Sequence, residues 1–165
     1  MILQLFRKRQ ELTFVCTYVA PIDAVWQTWT RPERLREWWG PEKTTIPECE
    51  VDLRVGGRIY IVMEAGEGMG KYQGKRWPLE GTFTQIEEPR RLAYEARSWT
   101  EGEADTTFIE HVNELGLTED DGKTVVNLRI TITEIGSGAK AKAAAFGMRW
   151  GYKAQLDKLE SFLAK

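Results

Sequence analysis

The segment APIDAVWQTWTRPERLREWWGPE, residues 20–42, carries four tryptophans within fourteen residues of an otherwise polar and charged stretch. Its first half repeats apolar residues at i, i+3, i+4 and i+7, which is the spacing of one stripe along a short helix. That stripe consists of Ile22, Val25, Trp26 and Trp29. The spacing predicts a short helix that buries one face.

A second short helix is predicted directly after the first. In the segment TRPE, residues 30–33, the Thr30 hydroxyl can satisfy a free N–H while Glu33 reaches back, an arrangement called a capping box. Proline suits the first turn of such a helix. The helix would run through Trp38 and end at the Gly-Pro pair, residues 40–41.

The four tryptophans have two interpretations, core packing of the two helices or walls of a pocket. Trp26 and Trp29 lie on the apolar stripe, so we expect them to be mostly buried structure. Trp38 and Trp39 are adjacent in sequence and cannot both face the same way at a helix end. We expect one of them to pack inward and the other to lie near the mouth of a pocket.

Seven stretches have the period of two that is typical of β-strands. Turn signals separate them, among them the Gly-Gly pair at residues 56–57. The segment GEGMGKYQGKR, residues 66–76, is predicted to be a flexible hairpin loop that covers a cavity as a lid. The predicted strands are residues 12–19, 49–53, 58–64, 79–87, 92–99, 106–115 and 124–134.

Residues after position 138 have helical periodicity to the end of the chain. Phe146 and Trp150 lie nearly opposite the main apolar stripe, so the first half of this helix needs cover on more than one side. Gly147 and Gly151 indicate close approach to the sheet or room for a ligand, or else a local kink. The main stripe consists of Ala145, Met148, Tyr152, Leu156, Leu159 and Leu163.

The order of elements predicts an α+β fold. A curved, seven-stranded antiparallel sheet needs a cover on one face, and the long C-terminal helix is the available element. A curved sheet that grips a helix leaves space between the two. The two short helices after the first strand would close one end of that space.

Length and charge bound the function. The chain of 165 residues suggests one domain, and its formal net charge of −2 argues against a nucleic-acid binder, which would present a basic face. No apolar run approaches the roughly 20 residues of a membrane span, and the N-terminus lacks a signal-peptide pattern. We expect an N-terminal extension over residues 1–11 and a soluble, cytoplasmic protein that engages no membrane.

The chain offers little for a metal or a cofactor. Cys16 and Cys49 lack the spacing of zinc ligands, and one histidine cannot supply a three-histidine site. The segment at Gly70 lacks the upstream glycine and the following Ser or Thr of a phosphate-binding loop. We predict no metal, no cofactor and no nucleotide. We also predict that the two thiols stay reduced, although they lie in neighbouring predicted strands.

Two polar positions remain ambiguous from sequence. His111 lies in a predicted strand, where it is either an exposed or hydrogen-bonded histidine or a general base near Glu110 or Glu114. Asp52 and Arg54, in VDLRVGG, are interpreted as stabilisers of a turn and of the sheet edge. We therefore assign no catalytic residue.

Five pieces of the chain follow the order of one known family: APIDAVWQTWTRPERLREWWGPE, EVDLRVGGRIYIVME, EGTFTQIEEPRRLAYE, DGKTVVNLRITIT and FGMRWGYKAQLDKLESFL. The chain thereby resembles the stand-alone bacterial domains related to the activator of the Hsp90 ATPase (AHSA1-like), within the START-like or Bet v 1-like superfamily (SRPBCC). The resemblance covers about residues 12–163. It implies the helix-grip fold, a single START-like domain over residues 12–165, and a cavity between sheet and long helix.

The resemblance does not fix an activity, because one fold hosts many functions. The leading hypothesis is non-enzymatic binding of a small hydrophobic ligand. A chaperone-associated interaction module comes second, because the partner-binding domain that precedes this domain in the chaperone activator has no counterpart in these residues. A cyclase or hydrolase acting on an aromatic substrate comes third. The sequence leaves a homodimer open.

We predict that large apolar side chains from the second short helix, the sheet and the long helix wall the cavity. The first half of the long helix is apolar on two sides, so its aromatic residues cannot all reach a sheet that lies on only one side. Trp150→Ala would then enlarge the pocket. The predicted ligand-binding residues are Trp39, Ile61, Met63, Phe83, Tyr94, Trp99, Phe108, Phe146 and Trp150.

Overall fold

A computed structural model describes residues 10–165 of the protein. Seven strands, three α-helices and one short 3₁₀ turn (Gly70–Tyr72) follow one another along this part of the chain. The elements are β1 (Gln10–Tyr18), α1 (Ile22–Thr30), α2 (Pro32–Trp38), β2 (Thr44–Val51), β3 (Arg58–Ala65), β4 (Arg76–Glu87), β5 (Arg91–Trp99), β6 (Phe108–Asp120), β7 (Lys123–Ile135) and α3 (Ala139–Leu163). The predicted α+β order is confirmed.

The seven strands form one curved antiparallel sheet in the order β1-β7-β6-β5-β4-β3-β2. Because β1 pairs with β7, the chain returns across the whole sheet after α1 and α2 to start β2 at the far edge. The long helix α3 lies against one face of this sheet, as the sequence predicted. Strand β1 begins at Gln10, inside the expected extension, and the rest of that extension, residues 1–9, lies outside the described residues.

Helix α1 buries the predicted stripe, with Val25, Trp26 and Trp29 at most 3% exposed. The predicted capping box is wrong. Thr30 is the last residue of α1, and its hydroxyl donates to the carbonyl oxygen of Trp26, one turn earlier, at 2.9 Å. A threonine that bonds back to its own helix cannot cap the next one, so α2 begins after Arg31 without a side-chain cap.

The tight turn between β2 and β3 depends on a close backbone approach. An ideal Cβ on Gly57 would lie 2.0 Å from the carbonyl oxygen of Asp52. Arg54 Nε donates to the Asp52 carboxylate at 2.8 Å. The two side chains therefore pair with each other within the turn, and the predicted pairing across the sheet edge is not found among residues 10–165.

Cys16 and Cys49 do not lie in neighbouring strands. Cys16 is in β1 and Cys49 is in β2, at opposite edges of the sheet. The prediction placed strands that are consecutive along the chain next to each other. After β1 the chain instead crosses to the far edge of the sheet, so β1 and β2 do not pair. Both cysteines are free.

The two halves of α3 pack differently. In the second half, Leu156 and Leu159 are buried, and Tyr18 of β1 donates its hydroxyl to the Leu156 carbonyl oxygen at 3.0 Å. In the first half the buried residues are Ala141 and Ala145. Small side chains fill little of the space above a curved sheet. Among residues 10–165, no helix is long and apolar enough to cross a membrane.

Candidate ligand-binding cavity

A cavity of about 300 Å³ lies between the first half of α3 and the sheet. Its wall is mostly apolar, and none of the described residues that line it is charged. The lining residues come from the segment after α2, from strands β2 to β6 with their loops, and from α3. They are Trp39, Pro41, Thr44, Met63, Met69, Trp77, Pro78, Leu79, Ser98, Trp99, Thr100, Thr107, Phe108, Ile109, Ala141, Ala144, Met148, Gly151, Tyr152 and Gln155.

The space exists because α3 presents small residues to it. Ala141, Ala144 and Gly151 line the cavity from the helix side. A Cβ added at Gly151 would meet no atom within 4 Å. The structure therefore opposes a close approach to the sheet at either helical glycine, since a Cβ at Gly147 would also meet no atom within 4 Å; of the two, only Gly151 lines the cavity.

Two short segments border the cavity, which stays partly open to solvent. Trp39, directly after α2, contributes one wall and is 6% exposed. Met69 contributes another from the loop at residues 66–76. Of the predicted cover, the loop contributes Met69, whereas the lining contains no residue of α1 or α2 themselves and only Trp39 directly after α2. The loop is anchored at its base, where Gly66 N–H donates to the Lys43 carbonyl oxygen at 2.8 Å.

The structure divides the nine predicted wall residues into three groups. Trp39, Met63, Trp99 and Phe108 line the cavity. A second group is buried in the core but not part of the lining: Ile61, Phe83 and Tyr94. The third group consists of Phe146 and Trp150, which are 83% and 71% exposed.

The expected position of Phe146 and Trp150 in the wall is therefore corrected. A helix with two apolar faces can turn either face to the sheet. Here the face with Ala141, Ala145, Leu156 and Leu159 packs inward, because leucines in the second half fill the core continuously with Tyr18. The two aromatics then point away from it, and nothing in residues 10–165 covers them. Trp150→Ala should accordingly leave the cavity unchanged.

A chain of hydrogen-bonded polar side chains, which was not predicted from the sequence, runs behind the cavity wall. Tyr152 of α3 donates its hydroxyl to Asn113 Oδ1 at 3.3 Å. Asn113 Nδ2 lies 2.6 Å from His111 Nδ1, and His111 Nε2 lies 2.9 Å from Ser98 Oγ. Of these four residues, Tyr152 and Ser98 line the cavity.

The direction of these hydrogen bonds follows from the asparagine. Its oxygen accepts from Tyr152, so its amide nitrogen faces His111 and must donate to Nδ1. The imidazole proton is therefore on Nε2, which donates to the oxygen of Ser98. In this state His111 cannot take a proton from Ser98.

His111 is 2% exposed, and within residues 10–165 no carboxylate takes part in its hydrogen bonds. Burial lowers its pKa to about 4. The ring is thus neutral at neutral pH. Of the two interpretations made from sequence, the hydrogen-bonded strand histidine describes what the structure contains.

Gln155 is a further cavity residue that the periodicity gave no reason to select. It occupies a buried position of α3 and is 6% exposed. Its Oε1 accepts a hydrogen bond from the backbone N–H of Gly40 at 3.2 Å. Its Nε2 is buried and has no hydrogen-bond partner in residues 10–165. The one sequence signal that could have identified it is a polar residue at a core position of an amphipathic helix.

Metal binding has no visible basis in the described part of the chain. No group of three or more His, Cys, Asp or Glu side chains within residues 10–165 is placed to hold an ion. The absence of metal, cofactor and nucleotide stays a prediction.

An antiparallel sheet wrapped against a C-terminal helix, with two short helices after the first strand, defines the helix-grip class of proteins. The chain belongs to the family described as activator of Hsp90 ATPase homolog 1-like protein, which matches residues 19–164. A comparison with curated proteins gave no match.

Solved structures support the same fold. A Nitrosomonas europaea protein is 23% identical with a TM-score of 0.70, over 93% of this chain and 94% of that chain. An Arthrobacter aurescens protein is 22% identical with a TM-score of 0.73, over 93% and 86%. CalU16 from Micromonospora echinospora is 25% identical with a TM-score of 0.59, over 94% and 76%. These similarities show the fold and do not identify a ligand.

Proposed function

We propose that the protein binds a small hydrophobic ligand, without chemical turnover, in the cavity between α3 and the sheet. The observation that carries this proposal is a space of about 300 Å³ between α3 and the sheet, partly open to solvent, whose lining is mostly apolar and, among the described residues, without charge. Ligand pockets are typically apolar with a few polar groups, and this volume lies at the small end of their range.

The local sequence also favours a binding function. Gly151 lies in the interior of a helix, where glycine is roughly 1 kcal/mol less favourable than alanine. Alanine would fit there, since a Cβ would meet no atom within 4 Å. We attribute Gly151 to the room it leaves in the cavity; Gly147 has equally open surroundings, does not line the cavity and is given no such role. As part of the same proposal we place the protein in the cytoplasm, where its two free thiols would persist.

The test is binding of the neutral dye N-phenyl-1-naphthylamine, whose fluorescence rises in apolar surroundings. Trp39 and Trp99 line the cavity and serve as energy donors. Gly151→Leu places a side chain into the cavity and should weaken dye binding by about tenfold or more, because it removes much of the space. Gly147→Leu is the matched control, since Gly147 lies on the same helix, has equally open surroundings and does not line the cavity.

The proposal predicts that only the Gly151 variant loses dye binding while both variants melt cooperatively. Equal binding by both variants, or no binding by the wild-type protein, would show that this cavity is not the site.

A second candidate is an interaction module of the kind that the family's description names, an activator of the Hsp90 ATPase. The observation that favours it is the exposed aromatic pair Phe146 and Trp150, one turn apart on α3. Exposed apolar patches mark interaction sites more often than chance. This candidate predicts that the protein stimulates an Hsp90 ATPase without any ligand. It also predicts that the double variant Phe146→Ser, Trp150→Ser abolishes the stimulation.

Hydrolysis is a third candidate, because Ser98 and His111 resemble a nucleophile beside a base. The hydrogen-bond direction opposes it, since Nε2 of His111 carries the proton. We therefore expect hydrolysis of 2-naphthyl acetate by the wild-type protein to equal that by Ser98→Ala. A clear excess in the wild-type protein would favour an enzyme.

A further inference from the structure

We infer that the ligand of this cavity is an uncharged molecule with a carbonyl-type oxygen, such as a ketone, an ester or a lactone, which accepts hydrogen bonds from Gln155 and Ser98. This inference rests on the proposed function, and adds the chemical class of the ligand. Three separate features of the cavity support it: an unpartnered amide nitrogen, a serine hydroxyl with a fixed role, and the absence of charge in the described lining.

The first feature is the side-chain amide of Gln155. Its orientation is fixed, because the backbone N–H of Gly40 requires an acceptor and Oε1 supplies it at 3.2 Å. The amide nitrogen consequently faces elsewhere, and it is buried with no partner among residues 10–165. A buried donor without an acceptor is unfavourable, and buried polar groups in native proteins nearly always have a partner. Gln155 is one of the lining residues, and the inference places a ligand oxygen against this nitrogen as its acceptor.

The second feature is Ser98, which lines the same cavity from β5. The chain of hydrogen bonds from Tyr152 through Asn113 ends with His111 Nε2 donating to Ser98 Oγ. The serine oxygen is thus already an acceptor, and its own proton remains available for a bond to a ligand. The inference thus assigns two donors to the ligand: the Gln155 amide nitrogen, whose orientation the Gly40 N–H fixes, and the Ser98 hydroxyl, whose proton His111 leaves available.

The third feature is charge. None of the described lining residues is charged. A carboxylate buried here would lack a cation, and burying an unpaired charge is far more costly than burying a neutral polar group. The donors therefore suit a neutral oxygen better than an anionic one.

The experiment uses three ligands of nearly the same shape on the full chain, each competing with N-phenyl-1-naphthylamine. The ligands are 2-ethylnaphthalene, 2-acetylnaphthalene and 2-naphthoate. One net hydrogen bond should make the ketone bind about two- to tenfold more tightly than the hydrocarbon, and two bonds should increase the ratio further. The carboxylate should bind more weakly than the ketone at pH 7.5. Equal binding of ketone and hydrocarbon, or tightest binding of the carboxylate, would overturn the inference.

Variants assign the preference to a side chain. Gln155→Met has nearly the same shape and no donor, so the preference for the ketone should fall while the hydrocarbon still binds. Thr44→Val is the matched control, because the Thr44 hydroxyl also lines the cavity but already donates to the Pro41 carbonyl oxygen. That variant should keep the preference. An unchanged preference in Gln155→Met would remove Gln155 from the site and contradict the inference.

A measurement on the wild-type protein covers the case in which Gln155→Met does not fold. The ligand is 2-acetylnaphthalene with ¹³C at its carbonyl. The C=O stretching frequency of the bound ligand should be lower than that of the same compound in hexane, because hydrogen-bond donors weaken the C=O bond. A frequency equal to that in hexane would overturn the inference. The failure of the proposed function looks different, because in that case neither the dye nor the hydrocarbon binds at all.

Discussion

The indole N–H of Trp38 donates a hydrogen bond of 2.8 Å to the backbone carbonyl oxygen of Thr28 and thereby ties α2 to α1. Trp38 is fully buried, and its ring centroid lies 4.7 Å from that of Trp29 and 5.5 Å from that of Trp39. All four clustered tryptophans belong to the buried core, and Trp39 in addition lines the cavity. The tryptophan cluster thus supplies both core packing and part of the cavity wall.

Replacement of Trp38 should be much more costly than replacement of Trp150. Trp38→Phe removes part of a fully buried ring and leaves the Thr28 carbonyl without its donor, so the free energy of unfolding should fall by about 2–4 kcal/mol. Trp150→Phe alters a side chain that is 71% exposed, and such changes stay within about 0.5 kcal/mol. Urea unfolding of both variants measures the difference. Equal losses would mean that Trp150 is packed against something in solution.

The two thiols should remain reduced and react slowly. Cys16 and Cys49 lie at opposite edges of the sheet and cannot bridge within one molecule without large backbone movement. Burial raises the pKa of Cys49 to about 11 and also raises the pKa of Cys16. Because the thiolate is the reactive form, iodoacetamide at pH 7.5 should modify both more slowly than it modifies glutathione. Intact-mass spectra would show this, and a bridged species in air would contradict it.

Stability should decrease as pH falls from 6.5 to 4 because of His111. In this window the histidine of the unfolded chain takes up a proton, while burial holds the pKa of His111 in the folded protein at about 4. The unfolded state binds more protons, so the folded state loses up to about 3 kcal/mol relative to pH 7. His111→Gln removes this titration.

The comparison that isolates His111 is the difference between the two stability curves. Carboxylates titrate in both proteins between pH 4 and 6.5, so their contributions largely cancel. The free energy of unfolding of the wild type minus that of His111→Gln should decrease as pH decreases. Parallel curves would show that the pKa of His111 is the same in the folded and the unfolded chain and would contradict the prediction.

The elements of this fold could be predicted because hydrophobic periodicity is a local property. The stripe around Trp26 predicted α1, and alternation over residues 124–134 predicted β7 to within one residue at each end. Less regular stretches gave poorer bounds. Strand β2 begins at Thr44, five residues before the predicted start, because Pro47 lies where the register between β2 and β3 shifts and interrupts the alternation.

The site was less predictable because it depends on which faces meet. Two apolar faces on α3 left its rotation undetermined, so the sequence placed Phe146 and Trp150 in a wall that they do not form. The contact of Ser98 with His111 requires the register in which Ser98 pairs with Ile109 and His111 with Ala96. Such pairing is not encoded in any one strand, and the polar chain behind the wall stayed undetected for that reason.

The connection from β7 to α3 should tolerate alanine at one glycine and not at another. An ideal Cβ on Gly136 would lie 1.7 Å from the Thr106 carbonyl oxygen and 3.1 Å from a ring carbon of Phe108. Relief of that clash must move backbone, so Gly136→Ala should destabilise the protein by about 3 kcal/mol. At Gly138, the N-cap of α3, the nearest atom to a Cβ is 3.7 Å away, and alanine should cost under about 1 kcal/mol. Because Phe108 lines the cavity, only Gly136→Ala should also change the affinity for N-phenyl-1-naphthylamine. Urea unfolding and dye titration of both variants check this, and equal behaviour would refute the close approach at Gly136.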